Sequence, residues 1–509
     1  MSRLLIRGCT LWDSSPGSVY CEDGRVARIT RGGDPEVPPG TDVVEGNGGS
    51  LVPGLVDTHC HPFDYGWLKR GVDLREAGNI TGVRMRVSSG VMKARPGEWV
   101  FGYGWDHERF PGKALPTRAD IDDLSPANPV ALSRICGHIG VLNSAAIGKL
   151  GIEGKGGPEY ERDSSGALTG IVKEEALTRA LQEIPKDPER LASDLMNVES
   201  EAARLGLTGL HCIVSPEGYR EELTALSGLL AGGSLSVRYR VYVPPEALEF
   251  VKAEGLREKM RGPMARLNGV KIFTDGSLGA RTAALREPYT DDPGNSGLLR
   301  MKDEELADVV ERVDSMGLQA IVHAIGDRAV EQAVDALSRV AGSRNPLRHR
   351  IEHAGLAPRD LRSKMAKHGI RAAVQPSFVT SDTWAVDRVG KERLRDLYPI
   401  RSFLDEGIVA SGGSDSPVES LNPVLGIWSA VTRGGIVPEE SIPLPKALEL
   451  YTGLAASNGF DVTALEEGGP ADFTLFDADV TGMHPALFRK VGVLATVVGG
   501  VPVHSFGVP

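Results

Sequence analysis

The sequence predicts an α/β chain centred on a (β/α)8 TIM barrel, flanked by a β-sandwich that both termini build, with an insertion after the first barrel strand. Three observations predict this. Short apolar segments alternate with helix-patterned segments through the middle of the chain, the pattern of a parallel sheet with crossover helices. Eight such strands can be counted, and eight βα units close a barrel. Both chain ends instead carry β-rich runs with turn signals, and neither is long enough to fold alone.

From the N-terminus, residues 3–9 and 18–21 read as strands, and Glu22-Asp23-Gly24-Arg25 carries the D-G signal of a hairpin turn into 26–29. At the other end, 471–476 and 491–498 are strands, the second turning at Gly499-Gly500 into Val501-Pro502-Val503-His504. Pairing the ends gives a discontinuous sandwich of 1–52 and 462–509, around a barrel domain of 53–461. The barrel strands fall at 54–59, 209–214, 238–243, 269–273, 320–323, 350–353, 372–375 and 408–411, with helices at 189–205, 303–316, 328–340 and 358–367. The gap between the first two strands is far too long for one helix. Further strands at 99–105 and 130–135 mark an insertion over 95–190.

Composition narrows the function class. Lys+Arg 57 against Asp+Glu 68 gives a net charge of −11, which argues against a nucleic-acid partner. No run approaches the ~18 apolar residues of a membrane helix, and the apolar start 4–6 is too short for a signal peptide. The five cysteines are scattered and form no C-x-x-C pair. The expectation is a cytoplasmic protein that acts on a small molecule, without a membrane or nucleic-acid partner.

Chemistry in a barrel is placed at the C-terminal strand ends. The first strand ends in His59-Cys60-His61, and residues two apart on a strand share a face, so both imidazoles can reach one metal ion. Polar strand ends recur at His323, at His353 and, after the eighth strand, at Asp415. Four such ends point to a metal centre. Cys60, between the two histidines, faces the other way and packs.

These motifs resemble the amidohydrolase superfamily, specifically its amidohydrolase-3 (YtcJ-like) branch. The features that carry the resemblance are Gly54-Leu55-Val56-Asp57-Thr58-His59-Cys60-His61, Gly104-Trp105-Asp106, Gly137-His138, the run from Val270 to Gly279, His323-Ala324-Ile325-Gly326-Asp327, Arg348-His349-Arg350-Ile351-Glu352-His353 and Gly413-Ser414-Asp415. The resemblance covers nearly the whole chain. It implies a deformed barrel, two divalent metals, zinc being the ion that suits the set, and a homodimer. It implies His59, His61 and Asp415 as ligands of the buried ion, His323 and His353 as ligands of the second, and Lys271, carboxylated, as the bridge. An unmodified Lys271 paired with an acid such as Asp275 is the other reading. Glu174 is the alternative bridging ligand.

The expected function is hydrolysis of a non-peptide carbon–nitrogen bond in an amide, N-acyl or N-formyl group. A metal-activated hydroxide attacks the carbonyl, and Asp415 serves as general base and then acid. His138 is the candidate to hold a substrate or oxyanion. Trp105, Asp106, Arg281 and Gln375 are candidates for substrate contact, Arg281 through a substrate carboxylate. One alternative is a mononuclear deaminase or cyclic-amide hydrolase. Another is a regulatory or binding protein that keeps the fold without catalysis.

Overall fold

A computed structural model describes residues 2–459, 461 and 464–505. The chain divides into two compact units, Met1–Asp64 with Leu195–Pro509, and Tyr65–Asp194.

The first unit contains the barrel. Its strands are β1 (Leu55–Cys60), β2 (Leu207–Ile213), β3 (Arg238–Val243), β4 (Ala265–Phe273), β5 (Gln319–Ala324), β6 (Arg350–His353), β7 (Arg371–Val374) and β8 (Ala410–Gly412). They lie side by side in chain order, all parallel. Every residue of β1 and β2 is buried, which is why these strands read as continuous runs and not as alternation. The outer helices are amphipathic. Asp303–Ser315 buries Leu306, Val310 and Val313, and Asp327–Ala341 buries Val330, Val334 and Leu337.

The seam between β8 and β1 brings the two ends of the sheet together. Asp415 N donates to His59 O at 2.7 Å, and His61 N to Ser416 O at 2.8 Å. A Cβ at Gly413 would sit 2.6 Å from His59 N, so this approach requires glycine. The seam thereby sets the loop after β8 directly over the end of β1.

The termini form one continuous eight-stranded sheet. Its order is Val501–Ser505, Val493–Val498, Phe473–Phe476, Ser50–Pro53, Arg3–Leu11, Pro16–Glu22 and Arg25–Arg31, with Asp42–Glu45 beside Arg3–Leu11. The chain ends join where Phe473–Phe476 runs antiparallel to Ser50–Pro53. Leu4, Ile6, Val19 and Val26 share a core with Phe473, Leu475 and Val497, so the wings pack as a sandwich although the sheet is unbroken. The Asp23-Gly24 turn has both φ positive, at 49° and 77°, as a hairpin D-G turn requires.

The second unit is the insertion. Its six-stranded sheet has the order Tyr160–Arg162, Leu168–Lys173, Ile139–Leu142, Val130–Arg134, Val100–Trp105, Val72–Asp73. It begins at Tyr65, well before the expected 95, because the helix Ile80–Lys93 buries Val83 and Val87 with Val100, Trp105 and Ile121. That helix belongs to the insertion's core. Among the described residues no helix is long and apolar enough to cross a membrane.

Candidate metal centre

His59 and His61 leave the end of β1 on one face, as their spacing requires. Their Nε2 atoms lie 3.2 Å and 3.3 Å from the same oxygen, Asp415 Oδ1. Asp415 reaches them from a left-handed backbone position, φ 57°, just past the seam. One donor atom from each of the three side chains lies within 4.8 Å of the others. His59 is fully buried.

The far side of His59 is also held. Its Nδ1 meets Glu352 Oε2, and Glu352 Oε1 accepts from Arg350 Nε at 2.6 Å. Arg350 continues inward, donating to Thr58 O at 2.9 Å and to His211 Nδ1 at 3.0 Å. Arg350 and Glu352 are wholly buried. A carboxylate on Nδ1 fixes the tautomer and leaves Nε2 free as a ligand. Burial raises the Glu352 pKa, but Arg350 and His59 outweigh it and hold the carboxyl well below its usual range.

His353 follows Glu352 directly, and alternation alone would turn it to the opposite face. Its φ of 68° and that of Ala354, 46°, break the strand geometry. The ring therefore lies 4.7 Å from His59 and 4.6 Å from His323, centroid to centroid. Gln375, just after β7, accepts from His353 Nδ1 at 2.6 Å. His323, near the end of β5, donates its Nε2 proton to Gly276 O at 3.0 Å and lies 3.3 Å from Asp275 Oδ1. Asp275 is buried and accepts from the backbone N–H groups of Ala284, Ile325 and Gly326, at 3.0, 3.1 and 2.9 Å. It ties the loop after β4 to the end of β5.

Lys271, inside β4, is buried with Nζ 3.4 Å from His59 Nε2 and 4.7 Å from the Phe273 ring centre. Burial lowers its pKa to about 8, although Glu352 and Asp415 pull upward. Burial also lowers His59, helped by Lys271, and holds His353 well below the imidazole range, helped by His323. Burial likewise raises Asp415, but the nearby His59 and the hydrogen bonds from His59 and His61 hold its carboxyl far below the usual range. Beneath them Asp57, wholly enclosed, accepts from His59 N and Ser414 N, each at 3.0 Å, and burial raises it to about 7.

The structure thus gathers His59, His61, Lys271, His323, His353, Gln375 and Asp415 at one end of the barrel. Sequence reasoning missed Glu352, Arg350 and Asp57. The signal available was an acid and a base alternating on one strand face immediately before His353.

Other expected residues have different surroundings. Arg281 pairs with Asp291, Nη2 to Oδ2 at 2.9 Å and Nε to Oδ1 at 3.2 Å, so its guanidinium is taken up within the loop and is not held for a substrate carboxylate. Trp105 is fully buried in the insertion's core and donates to Leu132 O at 3.3 Å, so it packs and does not line a pocket. Asp106 caps the short helix His107–Arg109 and accepts from Arg134 Nη2 at 2.8 Å. His138 and Glu174, also in the insertion, are exposed and joined Nδ1 to Oε2 at 3.0 Å, with Glu174 at a positive φ of 47°.

A family model described as the amidohydrolase family matches residues 42–504. The chain belongs to the amidohydrolase family. This amidohydrolase is 30% identical over 519 residues to YtcJ of Bacillus subtilis (strain 168), a protein named as an amidohydrolase, with 96% of each chain covered. It is 26% identical over 525 residues to the N-substituted formamide deformylase of Arthrobacter pascens, covering 96% of this chain and 95% of the other. It is also similar to the crystal structure of a metal-dependent hydrolase from Pyrococcus horikoshii OT3, with a TM-score of 0.82, 30% identity and coverage of 95% and 99%. The amidohydrolase is a metal-dependent hydrolase of carbon–nitrogen bonds.

Proposed function

We propose that this amidohydrolase cleaves an amide, N-acyl or N-formyl bond of a small molecule, with Asp415 as the proton carrier. The observation that carries the reading is the convergence of His59 Nε2 and His61 Nε2 on Asp415 Oδ1. The similarity to a formamide deformylase supports the bond type.

The donor set fits a divalent ion. Three donors lie within 4.8 Å of one another, and the Nδ1 atoms of His59 and His353 are engaged by Glu352 and Gln375, which leaves Nε2 free on both rings. Two imidazoles and a carboxylate suit zinc. His59, His61 and Asp415 would hold one ion, and His353 and His323 a second. A divalent ion, when bound, polarises a carbonyl oxygen and lowers the pKa of water toward neutrality.

The chain's own residues do the rest. Asp415 stays ionised and accepts a proton from the attacking water as the C–O bond forms. It delivers that proton to the nitrogen as the C–N bond breaks, so no net proton is lost. Gln375 and Glu352 hold the two histidines in register while this happens. Lys271, whose burial favours the neutral amine, adds to carbon dioxide, forming an N–C bond and releasing a proton. The resulting carbamate would supply an anionic oxygen ligand from Lys271 to the metal held by these residues. The five cysteines are unpaired, four of them buried, which supports placement in the reducing cytoplasm.

The mononuclear alternative has one observation in its favour: among the described residues a single group of three donors converges. Metal content separates the two readings. Two ions per chain, with one lost in Lys271→Ala, supports the bridge. One ion per chain in both proteins supports the mononuclear site. Hydrolysis of a panel of N-formyl and N-acyl amines that disappears in Asp415→Asn, with metal retained, supports the proton role.

A further inference from the structure

The insertion holds a cavity of about 820 Å³, formed entirely by its own residues. Its volume lies in the range of small-molecule sites, ~300–1,000 Å³. Seven basic side chains line it against three carboxylates, in a chain whose net charge is −11. Some of that charge is already matched. Arg190 pairs with Glu98, and Arg70 lies 3.2 Å from Asp194. Lys93, Arg95 and Lys149, all exposed, have no carboxylate partner among the described residues. Positive charge left unmatched around a concavity raises the local concentration of anions.

The floor is aromatic. Trp67, half-buried, stacks on Phe101 at 3.9 Å between ring centres, and the Lys149 ammonium lies 5.8 Å from the Trp99 ring. The Trp99 indole N–H is sequestered from solvent and has no acceptor among the described residues. A buried donor without a partner costs about 1–3 kcal/mol, and buried indole N–H groups usually find one.

We propose that this cavity binds a small aromatic anion, of mononucleotide size, whose negative group meets Lys149 and Arg95 while its ring lies against the aromatic side chains of the lining. The site shares no residue with the metal centre and does not depend on the proposed reaction. The probes are AMP and phenyl phosphate, with adenosine and inorganic phosphate as the halves of AMP, titrated calorimetrically into the full-length protein. Saturable binding of AMP or phenyl phosphate is expected, at least tenfold tighter than either half. Lys149→Glu and Arg95→Glu each weaken it tenfold or more, and Trp67→Ala weakens it several-fold. These charge reversals are on exposed side chains, and unchanged melting temperatures confirm folding. No saturable binding of either probe, binding that both reversals leave unchanged, or adenosine binding as well as AMP would each overturn the proposal.

Discussion

Glu352 takes the Nδ1 side of His59 with one carboxylate oxygen and Arg350 Nε, at 2.6 Å, with the other. The two charges are wholly buried and compensate each other. Removing one charge strands its partner in low dielectric, which typically costs 3–5 kcal/mol. Glu352→Gln is therefore expected to lose about that much in denaturant unfolding. It should also weaken metal affinity about 10–100-fold, the usual effect of removing the group that orients a metal-bound histidine. Unchanged stability in Glu352→Gln would show that the pair is not held as described.

Gln375 does for His353 what Glu352 does for His59, but without charge. Gln375→Leu removes the acceptor at 2.6 Å and leaves the imidazole without its anchor. Metal affinity is expected to fall about tenfold or more, and stability by about 1–3 kcal/mol because the buried Nδ1–H loses its acceptor. Equilibrium dialysis against zinc reads the first and thermal unfolding the second.

Asp57 gives a pH dependence with a definite sign. Its carboxyl titrates near 7 in the folded chain, because burial disfavours the anion. Unfolded, it titrates near ~4. The folded state therefore binds this proton more tightly. The stability it contributes is full below about 4 and is lost as pH rises through 7, amounting to roughly 4 kcal/mol. In chelated protein, Asp57→Asn should lose less stability than wild type between these values. Both backbone N–H groups bond Oδ1, so an amide oxygen can keep them. Parallel curves for the two proteins would contradict the assignment.

Trp105 anchors the insertion. Trp105→Ala empties a fully buried site and is expected to cost about 3–5 kcal/mol, read as protection lost in the amides of the strands Val100–Trp105 and Val130–Arg134. Hydrogen exchange confined to other regions would place its packing elsewhere.

The eight barrel strands and the polar residues that end them were legible in the sequence, because a buried parallel strand is a short apolar run and a ligand at its end interrupts it. His59, His61, His323, His353 and Asp415 stood out for that reason. Glu352 did not, since Arg350 and Glu352 two apart on a strand read as an ordinary ion pair. The approach of His353 to His59 depends on a positive φ at a non-glycine residue, which no residue type announces. Trp105 misled for the opposite reason: an aromatic at a strand end looks the same in a core and in a pocket wall. The helix Ile80–Lys93 carries a helical stripe either way, and only its packing on Val100 and Trp105 assigns it to the insertion.

The central claim is that His59, His61 and Asp415 hold a catalytic metal for carbon–nitrogen hydrolysis. The most direct measurement is metal content per chain, by elemental analysis, beside turnover of an N-formyl amine in wild type, His59→Ala and Asp415→Asn. Metal in the wild type, depleted in His59→Ala, with turnover lost in both variants, is the predicted result. Full metal content and undiminished turnover in His59→Ala would contradict it.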